Sequence, residues 1–87
     1  MNRSPTPPEI RQTVLNLLGE IAPEADLTAL KPDISFRDQL DIDSMDFLNF
    51  IVALHKEFQV DLPESDYPQL GSIDGCVSNL ERKLSHG

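Results

Sequence analysis

Seven prolines punctuate this 87-residue chain, and they leave three windows long enough for a helix: Pro8 to Ala22, Asp33 to Leu62, and Gln69 onward. Proline breaks a helix interior but suits its first turn. Each window holds an apolar stripe at offsets 0, +4, +7 and +11. In the first it is Ile10, Val14, Leu17 and Ile21; in the second Phe47, Ile51, Leu54 and Phe58, with Phe50 beside it; in the third Ile73, Val77, Leu80 and Leu84. Such spacing gathers four side chains on one helical face, and strand-like alternation is nowhere sustained. The expected fold is therefore all-α: a small bundle of three main helices, a short helix between the last two, and a long first loop.

The helix starts are legible as well. Thr6-Pro7-Pro8-Glu9 reads as a capping box with proline in the first turn. Asp43 or Ser44 can cap the second helix, and Ser72 the third. Between Leu62 and Gly71 a single helical turn is expected before Pro68. The stretch from Ala22 to Asp43 is longer than an ordinary connection. It carries Leu27, Leu30, Ile34, Phe36, Leu40 and Ile42, so it is expected to pack over the helix ends with its own helical turn. The whole chain, 1–87, reads as one domain, with residues 1–6 and 85–87 as loose ends.

The second helix has more apolar surface than one core stripe requires. Met45, Leu48 and Val52 form a separate row, well round the cylinder from Phe47, Ile51 and Leu54 at about 100° per residue. That row either packs under the long loop or stays exposed as a docking surface.

Charge narrows the partners. Seven Lys and Arg against 15 Asp and Glu give a net charge of −8, which opposes nucleic acid and anionic membrane and favours basic protein surfaces. Most of the excess lies between Glu20 and Asp46. No apolar run approaches the roughly 18 residues of a membrane span, so a cytoplasmic monomer without stable membrane insertion is expected.

Catalytic patterns are lacking. Asp41-Ile42-Asp43-Ser44-Met45-Asp46 fails as a calcium loop, because Met45 stands at a ligand position, no glycine follows, and Val52 replaces the bidentate glutamate. His55 and His86 are the only histidines, and the single Cys76 reads as a small buried or half-buried thiol. No glycine-rich phosphate loop occurs, and Ser44 has no evident base partner. No metal site and no self-contained catalysis are expected.

Asp43-Ser44-Met45-Asp46, opening an apolar helix after a long acidic loop, resembles the attachment motif of acyl carrier proteins. In that family the pattern is Asp-Ser-Leu, and the serine hydroxyl bears a 4′-phosphopantetheine arm. Ala53-Leu54, Glu57-Phe58 and Leu62-Pro63 resemble the family's helix end and following turn. Ile10–Ile21 and Ile73–Leu80 are similar to its first and last helices, so the likeness runs from about Pro8 to Leu84.

The resemblance implies a non-catalytic acyl carrier. Ser44 would hold the arm, covalently attached from coenzyme A, with Asp43 as its motif neighbour. Met45, Asp46, Leu48 and Val52 would dock partner enzymes, while Phe36, Phe47, Ile51 and Leu54 would border a cavity for the acyl chain. The implied partners are a phosphopantetheinyl transferase and an acyl- or aminoacyl-loading ligase, acyltransferase or ketosynthase of fatty-acid, lipid or polyketide-type biosynthesis. An aminoacyl or D-alanyl carrier shares the fold and arm, and a helical adaptor without any arm is the more distant alternative. Three departures stand out. Met45 replaces the usual leucine, Asp41-Ile42 replaces a small Gly-Ala-like pair, and Asn49, His55 and Lys56 stand where fatty-acid-type carriers commonly have glutamates. The last of these, which removes much of the helix's negative face, points to a specialised carrier rather than a housekeeping one.

Overall fold

The computed structural model describes residues 5–85. Four helices follow in order: α1 (Pro7–Ile21), α2 (Phe36–Leu40), α3 (Ser44–Phe58) and α4 (Ile73–Ser85). Among the described residues there is no strand, and no helix is long and apolar enough to cross a membrane. The three long helices fall in the three windows that the prolines leave, with α1 taking Pro7 and Pro8 into its first turn. α1 packs against both α3 and α4, as amphipathic helices must to bury their apolar faces.

Local chemistry sets the boundaries. The Thr6 hydroxyl accepts from the Glu9 N–H at 3.4 Å while Glu9 Oε1 accepts from the Thr6 N–H at 2.8 Å, completing the capping box. Thr6 thus starts α1, and Ser85 belongs to α4. The rest of the expected loose ends, residues 1–4 and 86–87 with His86, lies outside the described residues. Ser72 Oγ accepts from the Gly75 N–H at 3.0 Å at the head of α4. Gly75 itself is required by space, since a Cβ there would stand 1.9 Å from the Gln69 carbonyl oxygen.

The buried faces shift by one residue from the expected stripes at two helices. In α1 the fully buried residues are Ile10, Val14 and Leu18, with Leu17 and Ile21 only partly covered. In α4 they are Ile73, Cys76, Asn79 and Leu80, while Val77 and Leu84 are half-buried. At α4 the reason is a second neighbour: it packs on the turn at Gln69–Gly71 as well as on α1, so its covered face is wider than a two-helix contact needs. Cys76 donates to the Leu70 carbonyl at 3.2 Å, and burial pushes its thiol pKa far up, which makes it a core residue and not a nucleophile. Asn79 Nδ2 donates to Gln69 Oε1 at 3.0 Å from a fully buried position.

The long connection contains two helical segments instead of one. A 3₁₀ turn at Leu27–Ala29 is capped by Asp26, whose carboxyl is held below the usual range chiefly by the Thr28 hydroxyl, together with the Thr28 N–H. α2 then buries Phe36 completely. The Gln39 side chain binds the connection back on itself, accepting from the Lys31 N–H at 2.8 Å and donating to the carbonyls of Lys31 and Ile34 at 3.0 Å each. Leu30 and Ile42 are buried as expected, but Ile34 is 43% exposed. Two 3₁₀ turns, Glu64–Asp66 and Gln69–Gly71, lie between α3 and α4 where one was expected. Lys83 Nζ pairs with Asp66 Oδ2 at 2.8 Å and fastens the first of them to α4.

An aromatic cluster joins the connection to the bundle. Phe36 meets Phe50 edge-on at 5.2 Å and Phe47 at 6.4 Å, and Phe47 in turn meets Tyr67 edge-on at 5.9 Å. Among the described residues two adopt the left-handed conformation, Asp41 after α2 and Gln59 after α3, both at φ 55°. A side chain there costs on the order of 1 kcal/mol that glycine avoids. Gln59→Gly, at an exposed position, is expected to raise stability by about 0.5–1 kcal/mol, read as a higher urea midpoint with unchanged slope.

Candidate functional site

The backbone from α2 to α3 is bracketed on both sides. α2 ends in the left-handed Asp41, whose N–H, like that of Ile42, donates to the Arg37 carbonyl. Ile42 is 7% exposed and anchors the link in the core. Asp43 then serves as N-cap: its backbone is extended, and its Oδ1 accepts from the Asp46 N–H at 2.9 Å. Of the two caps the sequence allows, Asp43 is the one used, which frees Ser44. The Ser44 hydroxyl is exposed on the first residue of α3, held by a fixed backbone.

Its hydrogen-bond partner is Arg37 Nη2, which donates to Ser44 Oγ at 3.5 Å. The same guanidinium lies 4.7 Å from the centre of the Phe47 ring. A cleft of about 330 Å³ opens beside the hydroxyl, lined by Arg37, Ser44, Phe47, Leu48, Tyr67 and Pro68. Arg37 is half-buried, and Phe47 beneath it is 5% exposed. Arginine stays protonated at any ordinary pH, so it cannot take the hydroxyl proton. Among the described residues histidine is remote from the site: His55 lies three turns further along α3 and bonds the Val60 carbonyl through Nδ1 at 2.7 Å. Neither Arg37 nor His55 is therefore placed to act as a base on the Ser44 hydroxyl.

Met45, Leu48 and Val52 do form an outward row, 68%, 43% and 47% exposed. Asp46 is half-buried beside it. Of the four residues expected to border an acyl cavity, Phe47 lines the cleft beside Ser44. Phe36, Ile51 and Leu54 are closed into the core, 0%, 4% and 0% exposed. Sequence reasoning missed Arg37, Tyr67 and Gln39. The first left a signal, being the only lysine or arginine between Lys31 and Lys56.

The phosphopantetheine attachment site family matches residues 9–77 of this chain, well over half its length. The chain belongs to that family. Its relatives include the acyl carrier protein of Bdellovibrio bacteriovorus, 29% identical over 76 residues that cover 87% of this chain and 91% of the relative. The acyl carrier protein of Solidesulfovibrio magneticus is 28% identical over 75 residues, 86% of this chain and 90% of the relative. That of Clostridium acetobutylicum is 32% identical over 56 residues, 64% of this chain and 73% of the relative. The family's prosthetic group is 4′-phosphopantetheine, bound covalently. The residues present fit it: Ser44 is a primary alcohol, exposed, rigidly placed and close to a cation, with open cleft alongside. Among the described residues no cluster of His, Cys, Asp or Glu is arranged to hold a metal ion.

Proposed function

We propose that this chain, 1–87, is a single carrier domain that bears 4′-phosphopantetheine on Ser44 and shuttles acyl groups as thioesters between partner enzymes. The observation that supports it most is the placement of one exposed hydroxyl, not used to cap the helix, at the head of α3, directly beside an exposed apolar row, in a chain of this family. The carrier supplies the nucleophilic oxygen and no base. A phosphopantetheinyl transferase forms the Oγ–phosphorus bond as the pyrophosphate bond of coenzyme A breaks, the nucleotide half leaves as adenosine 3′,5′-bisphosphate, and a base of the transferase takes the proton. Asp43 supports the reaction by fixing the turn that aims Ser44. Met45, Asp46, Leu48 and Val52 form the face on which the transferase and later the ligase, acyltransferase or ketosynthase seat. Asn49, His55 and Lys56, exposed along the same helix, favour a dedicated partner over a generic fatty-acid enzyme.

Intact-mass analysis after incubation with coenzyme A and a phosphopantetheinyl transferase tests the attachment. One added arm is expected on the natural sequence and none on Ser44→Ala. Several competent transferases leaving the mass unchanged would favour an adaptor without an arm.

A further inference from the structure

Arg37 is an unusual residue for its surroundings. The chain carries a net charge of −8, and Asp38, Asp41, Asp43 and Asp46 all lie within nine residues of it. Yet among the described residues the ion pairs are Arg11 with Asp74 and Lys83 with Asp66, and neither involves Arg37. Its guanidinium lies instead over the Phe47 ring and reaches toward Ser44 Oγ. A cation left without a carboxylate partner in so acidic a chain, and held on a buried aromatic platform, is free to meet an incoming anion.

We propose that Arg37 is a phosphate-binding residue, poised to grip the phosphodiester through which the arm is joined to Ser44. The inference rests on Ser44 being the attachment site. Phosphorus bonded to Oγ places its two non-bridging oxygens two bonds away from that atom. A guanidinium already 3.5 Å from Oγ therefore reaches them with only a small side-chain adjustment. The fork geometry of arginine suits two oxygens of one phosphorus. The platform is stiff, since Phe47 is itself braced by Phe36 and Tyr67, so little side-chain freedom remains to be lost. The grip has two consequences. It offsets the extra negative charge that modification adds beside Asp43 and Asp46, and it fixes the direction in which the arm leaves the cleft.

The test compares modified and unmodified forms of the natural sequence, Arg37→Gln and Arg37→Lys, with the mass gain first establishing that each carries the arm. A failure of attachment at Ser44 would show as an unchanged mass in the natural sequence, and so is separate from a failure of Arg37. Loss of stacking on Phe47 affects both forms of a variant and cancels in the difference between their melting temperatures. In Arg37→Gln the modified form is expected to lose about 2–5 °C relative to its unmodified form, compared with the same difference in the natural sequence. Arg37→Lys, which keeps the charge, should recover at least half of that loss, and the loss should shrink as salt rises. The phosphorus NMR line of the modified natural protein should be broader than that of Arg37→Gln, where the phosphodiester swings freely. Equal melting differences in the natural sequence and Arg37→Gln, a lysine variant indistinguishable from the glutamine one, or identical phosphorus lines would each overturn the proposal.

Discussion

Phe50→Ala leaves a large part of the chain unfolded at room temperature. The Phe50 ring is fully buried and meets Phe36 edge-on at 5.2 Å, so its removal takes away the nearer of the two α3 rings against which α2 seats Phe36. A phenylalanine-to-alanine change of this kind costs about 3–5 kcal/mol. An 87-residue chain buries a small core. Its total stability then falls at the low end of about 5–15 kcal/mol. The loss is therefore comparable to everything the fold has. Urea titration followed by helical circular dichroism should show a truncated folded baseline or none. Phe58→Ala, at the half-buried far end of the same helix, should instead retain a clear transition. A Phe50→Ala protein with a near-natural midpoint would mean that α2 does not depend on the aromatic cluster for its position.

That dependence also marks where the sequence was readable and where it was not. The three long helices follow from prolines and period, because burying one face of a helix imposes its spacing on the residues whatever lies opposite. The fine position of each buried face does not follow. Whether Val77 or Cys76 turns inward is decided by the Gln69–Gly71 turn, a neighbour that helical period alone does not place. Asp43 and Ser44 were equivalent as caps on paper. Geometry separates them, because only the Asp43 carboxylate meets the Asp46 N–H, and the hydroxyl next to it is left unengaged by the helix. Gln39 was invisible for a different reason: its partners are backbone groups of Lys31 and Ile34, which carry no sequence signature. Arg37 was visible only as an isolated charge. Its role needed the fold that carries it over Phe47 to within reach of Ser44.

Leu48→Asp is expected to cut turnover with any partner enzyme by about 10-fold or more, and Val52→Asp by a similar factor, while circular dichroism shows the helices intact. Both side chains are on the exposed row of α3, 43% and 47% exposed, so the core loses little. The cost falls on docking, where a buried unpaired charge on an apolar contact is worth about 2 kcal/mol or more. Partner choice should follow from the polar residues of the same helix, and here the structure separates recognition from stability. Lys56 stands in the last turn of α3, where a cation complements the helix dipole, and His55 beside it bonds the Val60 carbonyl. Glutamate at either position changes the helix end as well as the docking face. Asn49 is exposed in mid-helix and has neither role, so Asn49→Glu isolates the electrostatic part. It should raise the rate with a generic fatty-acid elongation enzyme by lowering KM with kcat unchanged, and the gain should fade as salt screens the new charge. Lys56→Glu should lower KM comparably but also lower the melting temperature, which Asn49→Glu should not. If the natural protein already serves the generic enzyme as well as a housekeeping carrier does, the polar face does not select a dedicated partner, and only the attachment chemistry at Ser44 distinguishes this chain's role.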